Sequence, residues 1–261
     1  MTQTIKQFSQ AERRQQIIQK LKIDGNVRVS DLSELLSTSE VTIRSDLAEL
    51  ENSGILQRVH GGAVQTVRNY YALNASERLE ERKNEKLQIA ELVAKLVRDG
   101  DNIIINSGST CYYIALELRQ KKNIRIITHS IQISEIFAED KDIEVILLGG
   151  LLNYQYMFTH GDDTMHQLNK YQVDKTILSA DGIDIDNGIT TYHHEVADLC
   201  DQMLRRASLA IVAADHSKIG HTAFSQVSDI QAIDYLVTDV QSKQKNLHQI
   251  EKLGIEVLIP E

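Results

Sequence analysis

Along the first 65 residues of this 261-residue chain, apolar positions recur at the three-to-four spacing of a helix face. In residues 11–26 Ile17, Ile18 and Leu21 form such a stripe, and Gly25 stands where the segment would stop. After the short extended stretch of residues 27–29, Ser30 predicts the cap of a second helix with Leu32, Leu35 and Leu36 turned inward. A polar break, Ser37, Thr38 and Ser39, leads into a third helix from about Glu40 to Asn52, closed by Gly54, with Ile43, Leu47 and Leu50 on its packing stripe. Residues 55–64 alternate into the pair Gly61 and Gly62, as a two-stranded hairpin would. Three short helices and a hairpin predict a winged helix-turn-helix over residues 1–65.

The period then changes. Residues 66–85 are polar and charge-rich, without an apolar pattern, and predict a partly helical linker. From residue 86 to 261, helical stretches alternate with runs of branched apolar residues such as Ile103 to Ile105, Ile126 with Ile127, and Val145 to Leu147. Further runs lie at 175–182, 209–215, 235–239 and 255–259. Strands that are continuously apolar and separated by helices predict a mostly parallel, Rossmann-like sheet covered on both faces. The expected fold class is therefore α/β with an N-terminal winged helix. The single proline, Pro260, interrupts no interior element.

Composition narrows the function. An apolar fraction of 42% supplies real cores, yet no stretch approaches the ~20 apolar residues of a membrane span, and the polar N-terminus lacks the centre of a signal peptide. A cytoplasmic protein with no membrane partner is expected. Cys111 and Cys200 lack metal-ligand spacing and read as packing residues, so no cofactor or metal is expected. The overall charge of −9 opposes nucleic-acid binding only as an average. Residues 1–68 carry nine Lys or Arg against eight Asp or Glu, a net of +1, which leaves −10 for the remainder. Two halves with different partners are implied.

The third helix carries the candidate chemistry of the first half. Val41, Ser45, Ala48 and Glu49 face away from its packing stripe, with Thr42 and Arg44 on the flanks. Val41, Thr42 and Ser45 are slim enough to approach base edges, and Arg44 suits a phosphate or a guanine. Backbone amides at the helix start near Ser39 suit a phosphate. A small helical interaction module without DNA is the plainer alternative.

In the second half, polar residues gather at strand ends. Ser107, Gly108, Ser109 and Thr110 follow one strand and open a helix, where amides and hydroxyls together would suit an anion such as phosphate. An ordinary helix cap needs one hydroxyl rather than three. His129 and Ser130 end the next strand, and Gly149 and Gly150 the one after, where a backbone must bend or approach a ligand closely. Asp181, Gly182 and Asp184 follow a later strand, and Asp215, His216 and Lys218 another. Donors, carboxylates and an ammonium at one sheet edge suit a polyhydroxy ligand carrying a phosphate. His193, His194 and Glu195 lack the usual helical metal-pair spacing and are read instead as lying near that pocket, Glu195 or a histidine contacting sugar hydroxyls.

Residues 39–64, SEVTIRSDLAELENSGILQRVHGGAV, resemble the N-terminal signature of the DeoR family of bacterial transcriptional regulators. The stretches SGST, LLGG, ADGID, TTYHHEV and DHSK are similar, in order, to that family's C-terminal sensor domain. The resemblance implies a ribose-5-phosphate-isomerase-like fold for that domain and a repressor of a carbohydrate-utilisation operon. It further implies a double-stranded DNA operator, a phosphorylated sugar effector and a homo-oligomer, dimer or tetramer. In the wing, Arg58 and His60 look like backbone or minor-groove contacts, with Gly61 and Gly62 permitting the turn. Three positions depart from the family's pattern. Ser45 replaces a second arginine, Asn106 a common aspartate and His129 a common asparagine; the latter two bear on which sugar hydroxyls are read. The rival is a sugar-phosphate isomerase using Asp181, Asp184 and Lys218, since aldose-ketose chemistry needs a carboxylate shuttle and a cation or amides for the enediolate. The intact N-terminal reader opposes it.

Overall fold

The stripe read from residues 11–26 becomes the buried face of helix α1 (Gln10–Asp24) in the computed structural model, which describes residues 8–24, 26–53, 55–59, 61–65 and 75–261. Residue contacts separate the chain into two units, 1–82 and 83–261. In the smaller unit α1 is followed by β1 (Asn26–Arg28), α2 (Val29–Leu35), α3 (Glu40–Asn52), β2 (Leu56–Val59) and β3 (Gly62–Gln65). Its core joins Ile17 and Leu21 of α1 to Leu32 and Leu36 around α2, Ile43, Leu47 and Leu50 of α3, and Leu56 of β2. The strands form an antiparallel sheet in the order β1-β3-β2, so the wing has three strands where the alternation predicted two.

Two expectations for α2 are corrected. The helix begins at Val29, before Ser30, and its N-cap Arg28 supplies no side-chain bond. The Ser30 hydroxyl instead donates to Asp31 Oδ1 at 2.8 Å. Leu35, expected inside, is 55% exposed, because Leu32 and Leu36 already occupy the one face that α2 turns to the core. Gly25 and Gly54, expected to end α1 and α3, lie outside the described residues.

One charged group sits within this small core. Asp46 of α3 is buried beside Leu47 and receives Arg13 Nε on one oxygen and Arg14 Nε, at 3.2 Å, on the other. Two arginines of α1 thus grip the helix whose opposite face carries Val41 and Ser45. A buried carboxylate is tolerable only when its acceptor positions are filled in this way.

In the expected linker, residues 66–74 lie outside the described residues, while 75–80 form α4 (Ala75–Glu80). The larger unit opens with α5 (Lys83–Leu96), then β4 (Asn102–Ile105), α6 (Ser109–Leu118), β5 (Arg125–Thr128), α7 (Ile131–Ile136) and β6 (Glu144–Leu147). A hairpin, β7 (Leu151–Asn153) with β8 (Phe158–His160), precedes α8 (Asp162–Leu168) and β9 (Val173–Ser179). After β10 (Gly182–Asp184) and β11 (Gly188–Thr191) come α9 (Ala197–Arg205), β12 (Ala207–Ala213), β13 (Ser225–Ser228), β14 (Tyr235–Val237), α10 (Gln244–Glu251) and β15 (Glu256–Leu258).

Seven strands, in the order β15-β14-β12-β9-β4-β5-β6, form one wholly parallel sheet. Ile103, Ile104 and Ile105 of the interior strand β4 are fully buried, as continuous branched residues in a covered parallel sheet should be. Because every strand runs the same way, the segments after β4, β5, β6, β9 and β12 emerge along one edge. No helix among the described residues is long and apolar enough to cross a membrane.

Asp46→Asn removes the charge that Arg13 and Arg14 share, and is expected to lower the stability of the smaller unit by about 1.5–3 kcal/mol. Urea unfolding of the full chain checks this: the transition of the smaller unit should move to lower denaturant, and an unmoved transition would show that the ion pairs contribute nothing.

Candidate functional site

At the end of β4 the backbone ladder stops and side chains take over its work. Asn106, buried, donates from Nδ2 to the Ser179 carbonyl at 3.1 Å and accepts at Oδ1 from the Ser179 amide at 2.9 Å. Its flanks are the two thiols: Cys111 donates to Oδ1 at 3.0 Å, and Nδ2 lies 3.8 Å from Cys200 Sγ. Burial pushes both thiols up to about 12, so they remain protonated packing groups. Asn106 therefore ties β4 to β9. It is not placed to read a sugar hydroxyl, which corrects that expectation.

The next residues turn sharply. Ser179 Oγ donates to the Ser107 carbonyl at 3.0 Å, and Gly108 adopts φ +121°. An added Cβ there would stand 2.5 Å from Ser179 Oγ, so only glycine fits both the dihedral and the space. Gly108 is the N-cap of α6 and no side chain caps it. The first amide to bond back along the helix is that of Tyr112, to Gly108 O at 2.9 Å. The amides of Ser109, Thr110 and Cys111 accordingly face out of the helix start. Ser107 and Ser109 are half-buried, whereas Thr110 is buried, so two hydroxyls rather than three border the turn.

His129, expected to touch ligand, is wholly buried and has both ring nitrogens engaged. Nδ1 faces the Thr159 carbonyl at 2.8 Å and Nε2 accepts the Ser107 amide at 3.1 Å, which fixes the neutral tautomer with its proton on Nδ1. It braces the turn from behind. Ser130 is likewise buried and caps α7 through the Ile133 amide at 3.3 Å. Gly149 donates its amide to Gln167 Oε1 at 3.1 Å. At Gly150, φ +149°, an added Cβ would lie 2.5 Å from the His160 carbonyl. At Gly182 it would lie 2.5 Å from His221 O. Gly150 and Gly182 thus permit close approach of the chain to itself, and of the two expectations at Gly150, a bend or an approach to a ligand, this geometry accounts for the bend. Asp215 is buried and accepts from the Ser217 amide at 3.0 Å, capping a short turn over His216–Lys218.

Around the edge remain Asp181, Glu195 and Lys218, each partly exposed. Asp181 Oδ2 accepts from Thr191 Oγ1 and the Tyr192 amide, both at 3.0 Å. Glu195 Oε1 receives Asn153 Nδ2 at 3.3 Å and Oε2 lies 3.2 Å from His194 Nδ1. His193 packs edge-on against Tyr156, with ring centroids 4.2 Å apart, and Phe158 bridges it to His129. Ser179, Thr191, Asn153 and Tyr156 therefore help build the edge, although sequence reading did not single them out. One signal was available: the Asp186-Asn187-Gly188 turn marks the β10–β11 hairpin that presents Thr191. Asp184, a candidate proton shuttle, belongs to that turn. Burial works to raise its pKa, but bonds from Asn187 and the amides of residues 185–187 hold it below the usual range. Among the described residues no group of three or more His, Cys, Asp or Glu could hold a metal ion.

In the smaller unit the outward face of α3 is as the helical period implies. Val41 is 74% exposed, Arg44 and Ser45 are exposed, and Thr42 is half-buried. Ser39 caps α3 by accepting the Thr42 amide at 3.1 Å. Arg44 pairs with Glu40 at 2.7 Å, and Arg58 of β2 with Glu51 at the far end of α3, also at 2.7 Å. Gly61 supplies the wing's left-handed corner at φ +79°. Gly62 does something else: its missing Cβ makes room for the Val27 carbonyl of β1. His60 lies outside the described residues.

The profile described as the DeoR-like helix-turn-helix domain matches residues 13–68, and that of the DeoR C terminal sensor domain matches 81–240. The chain belongs to the DeoR family. Similar relatives include a putative aga operon transcriptional repressor of Escherichia coli O157:H7, 32% identical over 95% of this chain and 93% of its own length. The HTH-type transcriptional repressor GlcR of Bacillus subtilis is 32% identical over 97% of both chains. A ribose 5-phosphate isomerase of Methanocaldococcus jannaschii overlaps at TM-score 0.39 and 19% identity, over 52% of this chain and 54% of that one, a likeness too slight to argue from. This DeoR-family chain is a DNA-binding regulator and not an enzyme, and the isomerase reading is set aside with it.

Burial lowers the pKa of His129 from 6.5 to about 4, against the opposing pull of the Thr159 carbonyl. The unfolded chain would take up a proton near pH 6.5 that the folded one refuses until about 4, so this stabilisation is whole above pH 6.5 and is lost as pH falls through that window. The melting temperature of the larger unit is expected to drop between pH 7 and pH 5. His129→Asn keeps one donor and one acceptor but does not titrate, and should flatten the dependence; identical pH profiles for the two proteins would refute the role given to His129.

Proposed function

We propose that this chain represses a carbohydrate-utilisation operon and that a phosphorylated sugar, bound at the carboxyl edge of the seven-stranded sheet, changes its hold on operator DNA. The observation that carries the reading is the turn after β4. Its helix start has a glycine for an N-cap, no hydroxyl caps it, and the half-buried Ser107 and Ser109 lie beside outward-facing amides. Such amides at the positive end of a helix suit a phosphate. Asp181 and Lys218, following β9 and β12 of the same sheet, and Glu195, following β11 of the small antiparallel sheet, then suit the hydroxyls and the charge of the sugar. Ser130, Gly149, Gly150, Gly182 and Asp215 support that edge from within, as His129 does, without reaching out to the ligand.

On the DNA side, Val41, Thr42 and Ser45 meet base edges in the major groove, while Arg44, Arg58 and the cap at Ser39 take phosphates. His60 and Gly61 extend the contact along the wing. The names of relatives support a sugar-related operon: one is a putative aga operon transcriptional repressor, and another, 30% identical over 90% of this chain, is the lactose phosphotransferase system repressor of Streptococcus mutans. A homo-oligomer presents two such readers to paired half-sites. By linkage, an effector that weakens operator binding is itself bound more weakly by the DNA complex.

A thermal-shift screen of the full chain with pentose and hexose phosphates tests the reading. At least one phosphorylated sugar should raise the melting temperature while its unphosphorylated parent does not. Ser109→Ala and Lys218→Ala should each weaken that ligand about tenfold or more by calorimetry, the scale of a lost bond to a charged group. Undiminished binding in both variants would move the effector away from this edge.

A further inference from the structure

The arginines assigned to DNA are already occupied by the protein itself. Arg44 Nη2 donates to Glu40 Oε2 at 2.7 Å, one turn earlier on the same helix. Arg58 is held by two bonds from a single carboxylate: its Nε donates to Glu51 Oε2 at 2.7 Å and its backbone amide to Glu51 Oε1 at 2.9 Å. Those bonds draw the Glu51 carboxyl below the usual carboxylate range, so it is charged at neutral pH. Arg13 and Arg14 are drawn to the opposite face by Asp46. The unit that reads DNA, with a net charge of only +1 over residues 1–68, therefore offers little uncompensated positive charge.

We propose that Glu40 and Glu51 are specificity-determining residues of the DNA reader: each occupies an arginine as an internal stand-in for phosphate, and so holds down the affinity for DNA of arbitrary sequence. The inference rests on Arg44 and Arg58 being phosphate contacts. The physical ground is exchange. A guanidinium can move from carboxylate to phosphate without any change in fold, since both are anions that accept its paired N–H groups. Until it moves, it neutralises nothing on the duplex and releases no counterion. After it moves, the abandoned carboxylate stands near the phosphates and repels them. Both carboxylates oppose every sequence equally, whereas the outward face of α3 rewards only some sequences, so what they remove is chiefly the sequence-independent part of binding. As ion pairs these exposed contacts contribute little to the fold; Glu51 also accepts the Arg58 amide, a bond that does not need its charge, so the charges themselves point to a role in recognition.

The test needs no knowledge of the operator. The probe is a random-sequence 24-base-pair duplex, with binding followed by fluorescence anisotropy of the full chain across a series of salt concentrations. Glu40→Gln and Glu51→Gln should each tighten binding about three- to tenfold and steepen the slope of log K against log salt by about 0.9, one more phosphate neutralised once no abandoned carboxylate offsets it. In Glu51→Gln the side-chain carbonyl can still accept the Arg58 amide, so the wing stays in place. Glu135→Gln, the same charge change on the exposed side of the larger unit, serves as control and should leave affinity unchanged. If the two variants bind no tighter than this control while Arg44→Gln and Arg58→Gln weaken binding, the arginines touch DNA but the carboxylates do not compete, and the proposal is overturned. If the arginine variants also leave binding unchanged, the assignment of Arg44 and Arg58 fails, and the proposal with it.

Discussion

Asn106 spans the gap between two strand ends by presenting its amide to both the N–H and the carbonyl of Ser179, and the turn that follows β4 is hung from that bridge. A parallel ladder leaves its last groups unpaired where strands diverge, and a buried unpaired group is costly. Here a side chain closes the ladder, and the chain beyond it is free to turn. From Asn106 the constraint runs outward through Ser179 to the Ser107 carbonyl, and through His129 from the Ser107 amide to Thr159 of the neighbouring hairpin. The ends of β4, β9 and β5 and the middle of β8 are thereby joined by neutral hydrogen bonds. The partly exposed charges Asp181, Glu195 and Lys218 stand at the rim, while the buried Asp215 caps the turn after β12.

The same division between buried support and exposed chemistry organises the smaller unit. Asp46 takes two arginines inside, and the outward face of α3 is left with slim side chains and one paired arginine. The position after Arg44 carries Ser45, so this face presents a single arginine, itself paired with Glu40. On the proposed reading, recognition by such a surface leans on shape and base edges more than on bulk attraction to phosphate.

Much of this was legible in the order of residues. The 3.6-residue stripe of Ile43, Leu47 and Leu50 sufficed to place Val41 outward, and continuous isoleucines at 103–105 sufficed to place β4 inside a parallel sheet. Leu35 misled because Leu32, Leu35 and Leu36 have the spacing of a helix face, whereas the face turned inward is that of Val29, Leu32 and Leu36, and Leu35 lies beyond its margin. The carboxyl edge was legible as a set of segments but not as a set of roles. His129 and Ser179 lie 50 residues apart in sequence, yet they grip opposite sides of the same Ser107 residue; only the strand order β9-β4-β5 brings them together. The wing's third strand was hidden for a related reason. Three residues, Asn26–Arg28, carry no period of their own and become a strand by pairing with β3, whose Gly62 leaves space for the Val27 carbonyl.

Amide hydrogen exchange on the full chain, with and without a saturating phosphorylated sugar, examines whether the turn after β4 is the anion's seat. The amides of Ser109, Thr110 and Cys111 should become strongly protected, while that of Ser107, already bonded to His129, should change little. Protection that appears elsewhere in the larger unit, with residues 109–111 exchanging as before, would mean that the anion is held by some other part of the fold.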